Sequence, residues 1–166
     1  ALRLTSEVEG AERRAEVWRL LRGENGAVLR LRLLQSGKKQ HFEGERGAER
    51  LVRGVFPSGQ NRHYEGERGA ERKVRAELAN GEVHYYEGDK GAERKVRAVR
   101  ANGTVRYFEG DKGAERKVRA EFDGQVKFFD GGQGAERKVR MEFADGEVQH
   151  YDGEKGAERV VRKEFP

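Results

Sequence analysis

The sequence predicts an all-β fold: an elongated, single-layer antiparallel β-meander of about six 22-residue hairpin repeats behind an atypical N-terminal cap that includes a helix on one reading. Three observations carry that expectation. The tetrapeptide Gly-Ala-Glu-Arg starts at Gly10, Gly47, Gly69, Gly91, Gly113, Gly134 and Gly156, and from Gly47 the steps are 22, 22, 22, 21 and 22 residues. Self-similarity at such a period marks a repeat architecture. A turn dipeptide and an aromatic-acidic-Gly triplet recur in phase with it, and between these markers apolar and charged residues alternate with period two, as in a strand.

Residues 1–36 form the capping segment and residues 37–166 the array; nine of the ten leucines fall at or before Leu51. Two readings of the cap stay open. Ser6-Glu7-Val8-Glu9 fits a helix capping box, and Val8, Ala11, Ala15 and Trp18 follow at helical spacing. Alternatively, Gly10-Ala11-Glu12-Arg13 aligns with the other tetrapeptides, making Ala15 to Leu21 a strand and Glu24-Asn25-Gly26 a hairpin turn. Residues 28–34 read as a strand either way, and Trp18, Leu29, Leu31 and Leu33 are then a candidate cap or partner surface.

Within the array the turn dipeptides are Ser36-Gly37, Ser58-Gly59, Asn80-Gly81, Asn102-Gly103, Asp123-Gly124 and Asp145-Gly146, each five residues before a triplet aromatic (Phe42, Tyr64, Tyr86, Phe108, Phe129 and Tyr151). Such dipeptides supply the positive φ of a tight hairpin. The run Arg72-Lys73-Val74-Arg75-Ala76-Glu77-Leu78 places Val74, Ala76 and Leu78 on one side and Lys73, Arg75 and Glu77 on the other. The expected register puts Leu78 opposite Val83 across a four-residue loop, and Phe122 opposite Val126 across three, so that the 21-residue step shortens a turn. A helical reading would place glycines and valines inside turns at up to about 1 kcal/mol each. Residues 160–165 begin a further unit that stops at Pro166.

Composition bounds the function. Charged residues make up 39% of the chain, yet 35 basic against 30 acidic side chains leave only +5. Leucine, valine and phenylalanine are about a fifth of the residues, near the edge of what folds. A single repeat is therefore too poor in apolar side chains to fold alone, and stability must be collective along the array. No apolar run approaches a membrane span and none reads as a signal peptide, which leads us to expect an intracellular, soluble or peripheral protein. There is no cysteine.

Of the three serines, Ser6, Ser36 and Ser58, two sit in turns, and Thr5 and Thr104 have no histidine beside them, so we expect no enzyme, no catalytic residue and no cofactor. His41, His63 and His150 share one repeat position and His84 lies one residue earlier in its copy; equivalent positions of successive hairpins stand about 9–10 Å apart, too far for a common metal ion. The loops at Gly88-Asp89-Lys90-Gly91, Gly110-Asp111-Lys112-Gly113 and Gly153-Glu154-Lys155-Gly156 resemble phosphate cradles in outline but carry their own carboxylates, and read as connecting turns with weak calcium binding as the alternative.

The run from Phe143 through Asp145-Gly146 to Tyr151-Asp152-Gly153, with its counterpart from Leu78 to Gly88, resembles the MORN repeat: an aromatic, an Asp-Gly turn, then a Tyr-Glu-Gly triplet. The resemblance covers about residues 37 to 166. Two features depart from the pattern: the Trp expected after the triplet is missing, and Gly-Ala-Glu-Arg replaces the usual Gly-x-Gly opening, which makes this a divergent, MORN-like class. The resemblance implies twisted single-layer sheets that serve as scaffolds, dimerising or membrane-proximal docking surfaces rather than catalysts.

Alternation also places Lys73, Arg75 and Tyr86 on one face with Lys95, Arg97, Phe108, Lys117, Arg119, Phe129, Lys138, Arg140 and Tyr151. Basic groups interleaved with aromatics suit single-stranded nucleic acid. Residues 41–166, however, hold 26 basic and 25 acidic side chains, and Glu77, Glu121, Glu142 and Glu164 are expected on that face, whereas phosphate binding needs an uncompensated basic footprint. We expect Arg-aromatic stacking, Arg75 with Tyr86 for example, and an ion-pair ladder in which Glu93 and Arg94 face Glu115 and Arg116. The function expected is a non-enzymatic scaffold that binds a partner protein or itself through Tyr64, Tyr86, Phe108, Phe129 and Tyr151 with Arg75, Arg97, Arg119 and Arg140. The alternative is docking to an anionic membrane or nucleic acid, led by Arg13, Arg14, Arg19, Arg22, Arg30 and Arg32.

Overall fold

The computed structural model describes residues 17–22 and 28–166. These form strands only: β1 (Val17–Arg22), β2 (Val28–Leu33), β3 (Lys39–Glu43), β4 (Arg50–Val55), β5 (Asn61–Glu65), β6 (Arg72–Glu77), β7 (Val83–Glu87), β8 (Arg94–Val99), β9 (Val105–Glu109), β10 (Arg116–Phe122), β11 (Gln125–Asp130), β12 (Arg137–Glu142), β13 (Val148–Asp152) and β14 (Arg159–Glu164). The fold is all-β, and the described residues form two compact units, those up to residue 79 with 89–91 and residues 80–88 with 92–166. In the first, β1 to β6 lie in sequence order, and in the second β7 to β14 do so, each strand antiparallel to its neighbours. Each unit is thus an antiparallel meander of hairpins. Among the described residues no helix is long and apolar enough to cross a membrane.

Within the capping segment, Trp18 lies in β1 opposite Arg32 of β2. Val8, Ala11, Ala15 and the Glu24-Asn25-Gly26 turn lie outside the described residues.

All six turn dipeptides place their glycine at positive φ, between 70° and 91°. The registers are one residue tighter than the sequence suggested. In the second unit Val99, not Arg100, stands opposite Val105, and Arg100 closes the turn by donating its N–H to the Thr104 carbonyl at 2.9 Å. Ala101-Asn102-Gly103 is therefore a three-residue loop with glycine at its left-handed position. In the 21-residue copy Phe122 pairs with Gln125 and Glu121 with Val126. The loop is Asp123-Gly124, and both residues have positive φ, 50° and 70°, as a type I′ turn requires. The missing residue thus converts one favoured hairpin loop into the next shorter one.

A second departure has larger consequences. Each even-numbered strand from β4 to β14 carries a bulge against the strand before it. In β10, Lys117 faces Phe108 and Arg119 faces Tyr107, leaving Val118 unpaired. Val52, Val74, Val96, Val139 and Val161 occupy the same position. One extra residue inverts the alternation beyond it. Lysine and arginine, two residues apart and expected on one face, therefore stand on opposite faces.

Almost nothing is fully enclosed. Ala76, Ala98 and Met141 are the buried hydrophobic side chains among the described residues. Ala98 lies opposite His84 and Arg106, and Met141 opposite Lys127 and Gln149, on the face of the triplet aromatics. A Cβ added to Gly54, their counterpart in the first unit, would meet the Phe56 and Tyr64 rings and the Lys38 stem at 3.5–3.7 Å. Where this position is alanine or glycine it leaves room for rings and cationic stems to lie flat over the sheet, which is how a one-layer sheet shelters its centre.

Candidate functional site

The repeated glutamate and arginine of Gly-Ala-Glu-Arg hold neighbouring hairpins together. The ladder between β8 and β9 starts at Arg97, which leaves the Lys95 N–H one step outside it. Glu115, from the loop that follows β9, accepts that N–H at 3.0 Å and the Gly113 N–H of its own loop at 3.0 Å. The arrangement recurs at Glu71 with the Leu51 and Gly69 N–H groups, at Glu136 with Lys117, and at Glu158 with Lys138 and Gly156. The donor lies 20 residues upstream in three cases and 19 in the copy with the short turn, so the staple tracks the repeat. The expected Glu-Arg ladder is thereby corrected: the glutamates bind main-chain N–H groups. Glu49 also pairs with Arg30.

These bonds act on the carboxylates. The Lys95 N–H, first among the causes, holds Glu115 below the ordinary carboxylate range. Lys138 does the same for Glu158, and the residue's own N–H leads at Glu136. At Glu71 burial is the largest influence and raises the value, but three main-chain N–H groups together outweigh it and leave it lowered. The same geometry accounts for the loops that resembled phosphate cradles. The Gly113 and Gly156 N–H groups point at an internal carboxylate, and the Ala114 and Ala157 N–H groups are taken by the carbonyls of Asp111 and Glu154.

The arginines brace from the other side. Arg137 pairs with Asp152 at 3.1 Å and donates to the Gly153 carbonyl at 3.2 Å, while Arg50 pairs with Glu43 at 3.1 Å and donates to the Gly66 carbonyl at 3.4 Å.

With the staples fixing the hairpins, the faces carry two kinds of row. In the second unit one face presents Tyr86, Lys95, Phe108, Lys117, Phe129, Lys138 and Tyr151 in alternation. The ammonium groups of Lys95, Lys117 and Lys138 stand 4.1, 3.6 and 3.5 Å over the rings of Phe108, Phe129 and Tyr151, within the reach of cation–π attraction. In the first unit Tyr64 faces Lys73, and Leu51 takes the lysine position opposite Phe42.

The opposite face of the second unit carries Tyr85, Arg97, Tyr107, Arg119, Phe128, Arg140 and His150. Arg97 lies 5.2 Å over Tyr85, Arg119 5.3 Å over Tyr107, and Arg140 5.3 Å over Phe128. In the first unit Arg75 faces His63 and pairs with Glu77 at 2.9 Å. The proposed single face of Tyr64, Tyr86, Phe108, Phe129 and Tyr151 with Arg75, Arg97, Arg119 and Arg140 is therefore two faces. Lysine accompanies the triplet aromatics, and arginine lies opposite the residue before the triplet, stacked on it at Tyr85, Tyr107 and Phe128. Glu121 and Glu142 do share the arginine face, at 2.7 Å from Arg119 and Arg140 respectively.

Leu29, Leu31 and Leu33 face Glu43, His41 and Lys39 of β3; Leu31 is half-buried and Leu33 is 37% exposed. The histidines are engaged with carboxylates: His84 with Glu82 at 2.9 Å, His63 with Glu77 at 3.4 Å and His150 with Glu164 at 3.1 Å. His41 has its pKa lowered by burial, then by Arg53 and Lys39. Among the described residues no group of three His, Asp or Glu side chains is placed to hold a metal ion. No protein-family model matches the chain, and a search of curated proteins finds no match.

Proposed function

We propose that this is a MORN-like repeat protein acting as a non-enzymatic scaffold, which binds a partner protein through an extended sheet face. The observation that carries this reading is the pair of open faces on each unit. Half-exposed aromatics and cations recur there at fixed registers, and the buried groups of the loops are satisfied internally. Side chains repeated every two strands, about 9–10 Å, offer many equivalent contacts rather than one focal pocket. Aromatic and arginine residues are also the types that dominate protein interfaces.

A second reading, docking to an anionic surface, is favoured by one cluster on the lysine face. Arg106 and Lys127 flank Ala120, and Lys117 has its pKa lowered by burial and then by Arg106. Salt separates the two. Phosphate-driven association weakens steeply between about 50 and 200 mM salt, whereas an interface held by apolar and stacking contacts changes little. The test is photo-crosslinking from Tyr86 and from Tyr107, on opposite faces of the full chain. One partner captured from one face at both salt concentrations supports the scaffold reading, and capture that vanishes at the higher salt supports the anionic surface.

A further inference from the structure

One patch breaks the pattern of the arginine face. Arg119, Arg140 and Arg162 each have a glutamate two residues on, at 2.7, 2.7 and 3.1 Å. Beside Arg97 that position is Val99, and Arg97 has no carboxylate partner among the described residues. Its Nε is buried without a hydrogen-bond partner, as are those of Arg119 and Arg140, so the missing carboxylate is what sets Arg97 apart. The registers set Val83 opposite Val99 opposite Val105, directly beside Tyr85 opposite Arg97 opposite Tyr107. The result is a grid of three valines and two tyrosines around one uncompensated guanidinium, all six half-buried. Further along the same row the valines alternate with glutamate, at Glu121, Val126, Glu142 and Val148. Arg53, in the first unit, also has valine two residues on, but its cross-strand neighbours are His41 and His63.

We propose that this grid is the docking site for an extended acidic segment of a partner protein. One carboxylate of the segment takes the place on Arg97 that Glu121 and Glu142 take on their arginines, and a neighbouring apolar side chain lies over the valines. The inference rests on the scaffold reading and names its partner chemistry. Charge complementarity selects the occupant: an isolated guanidinium stacked on a tyrosine recognises a planar carboxylate with two parallel bonds, and valines exclude water around it as the rim of a hot spot does. The sheet supplies its own internal control, because Val99→Glu recreates the residue pattern of the neighbouring repeats and fills the site from within.

The test is an NMR titration of the full chain, following the Arg97 Nε–Hε signal and the methyls of Val83, Val99 and Val105. The probe is the peptide acetyl-Thr-Val-Glu-Val-Thr-amide, with its Glu→Gln analogue as control. The grid signals are expected to shift with the Glu peptide, and the Gln analogue, Arg97→Gln and Val99→Glu are each expected to weaken binding at least about tenfold. Val99→Thr, similar in shape and uncharged, keeps binding within about threefold, and melting curves confirm that the variants remain folded. Equal binding of the Gln analogue, undiminished binding to Val99→Glu, or no shift at low-millimolar peptide overturns the proposal. So does a single-stranded oligothymidylate that shifts the same signals more strongly, which would make phosphate the ligand. Shifts confined to the lysine face would overturn the grid and leave the scaffold reading standing; loss of crosslinking from both faces would instead remove the scaffold reading itself.

Discussion

Replacing Glu115 by alanine removes one carboxylate and leaves two main-chain donors behind. The Gly113 N–H is exposed and turns to water at little cost. The Lys95 N–H is part-buried and lies just outside the β8–β9 ladder, so no strand can take it. Stranding such a group costs about 1–3 kcal/mol, and with the lost charge we expect about 2 kcal/mol for Glu115→Ala. For a chain of this size that corresponds to a fall of about 4–8 °C in Tm. Glu115→Gln keeps an acceptor without the charge and should lose about half as much. The assay is thermal and urea unfolding followed by circular dichroism, with Glu109→Ala as the reference. Glu109 is 63% exposed and only 3.5 Å from Arg116, so its removal should cost no more than about 0.5 kcal/mol. Equal losses for Glu115→Ala and Glu109→Ala would refute the reasoning.

Three other outcomes follow from the same geometry. Stability should fall on acidification: Glu71, Glu115, Glu136 and Glu158 titrate below their unfolded values, so their contribution is complete above the unfolded carboxylate pKa of about 4.3 and is lost as pH drops through the folded values. Urea midpoints from pH 7 down to 3 check this, and changing all four to glutamine should flatten the profile. At Gly131 a Cβ would stand 2.6 Å from the Ala135 carbonyl oxygen at a φ of 109°, whereas at Gly132 it meets nothing within 4 Å. Gly131→Ala should therefore cost about 2 kcal/mol or more and Gly132→Ala stay within about 0.5 kcal/mol, by equilibrium unfolding. Asp123 is the one described non-glycine residue at positive φ, so Asp123→Asn should be neutral and Asp123→Val destabilise by about 1–2 kcal/mol in the same assay.

The repeat, its hairpins and the six turn glycines were legible because glycine and period-two alternation carry local conformational meaning. The bulge was not. Its unpaired residue is a valine at ordinary φ, a type at home in any strand, so no residue type marks Val96 or Val118 as supernumerary. From that one omission the lysine and arginine rows merged into a single expected face. Register slipped for a related reason: Asn102-Gly103 announces a turn without announcing whether three or four residues close it, and the closing bond from Arg100 to Thr104 is made by main chain alone. The repeated Glu-Arg pair was recognised as structural, but two opposite charges side by side suggested ion pairs. The main-chain acceptor role of the glutamate became visible only once the bulge showed which N–H groups the ladder abandons. Of the candidate surface, Tyr86, Phe108, Arg97 and their counterparts were found by type and spacing; their division between faces, and the valine grid beside Arg97, depend on register.

Adjacent hairpins are joined by glutamate carboxylates bonded to N–H groups that the strand ladders leave open. Native-state hydrogen exchange at the Lys95, Lys117 and Lys138 amides measures this most directly. These three should exchange as slowly as the ladder amides beside them, and Lys95 alone should speed up in Glu115→Ala. Exchange of all three at the rate of exposed loop amides would contradict it.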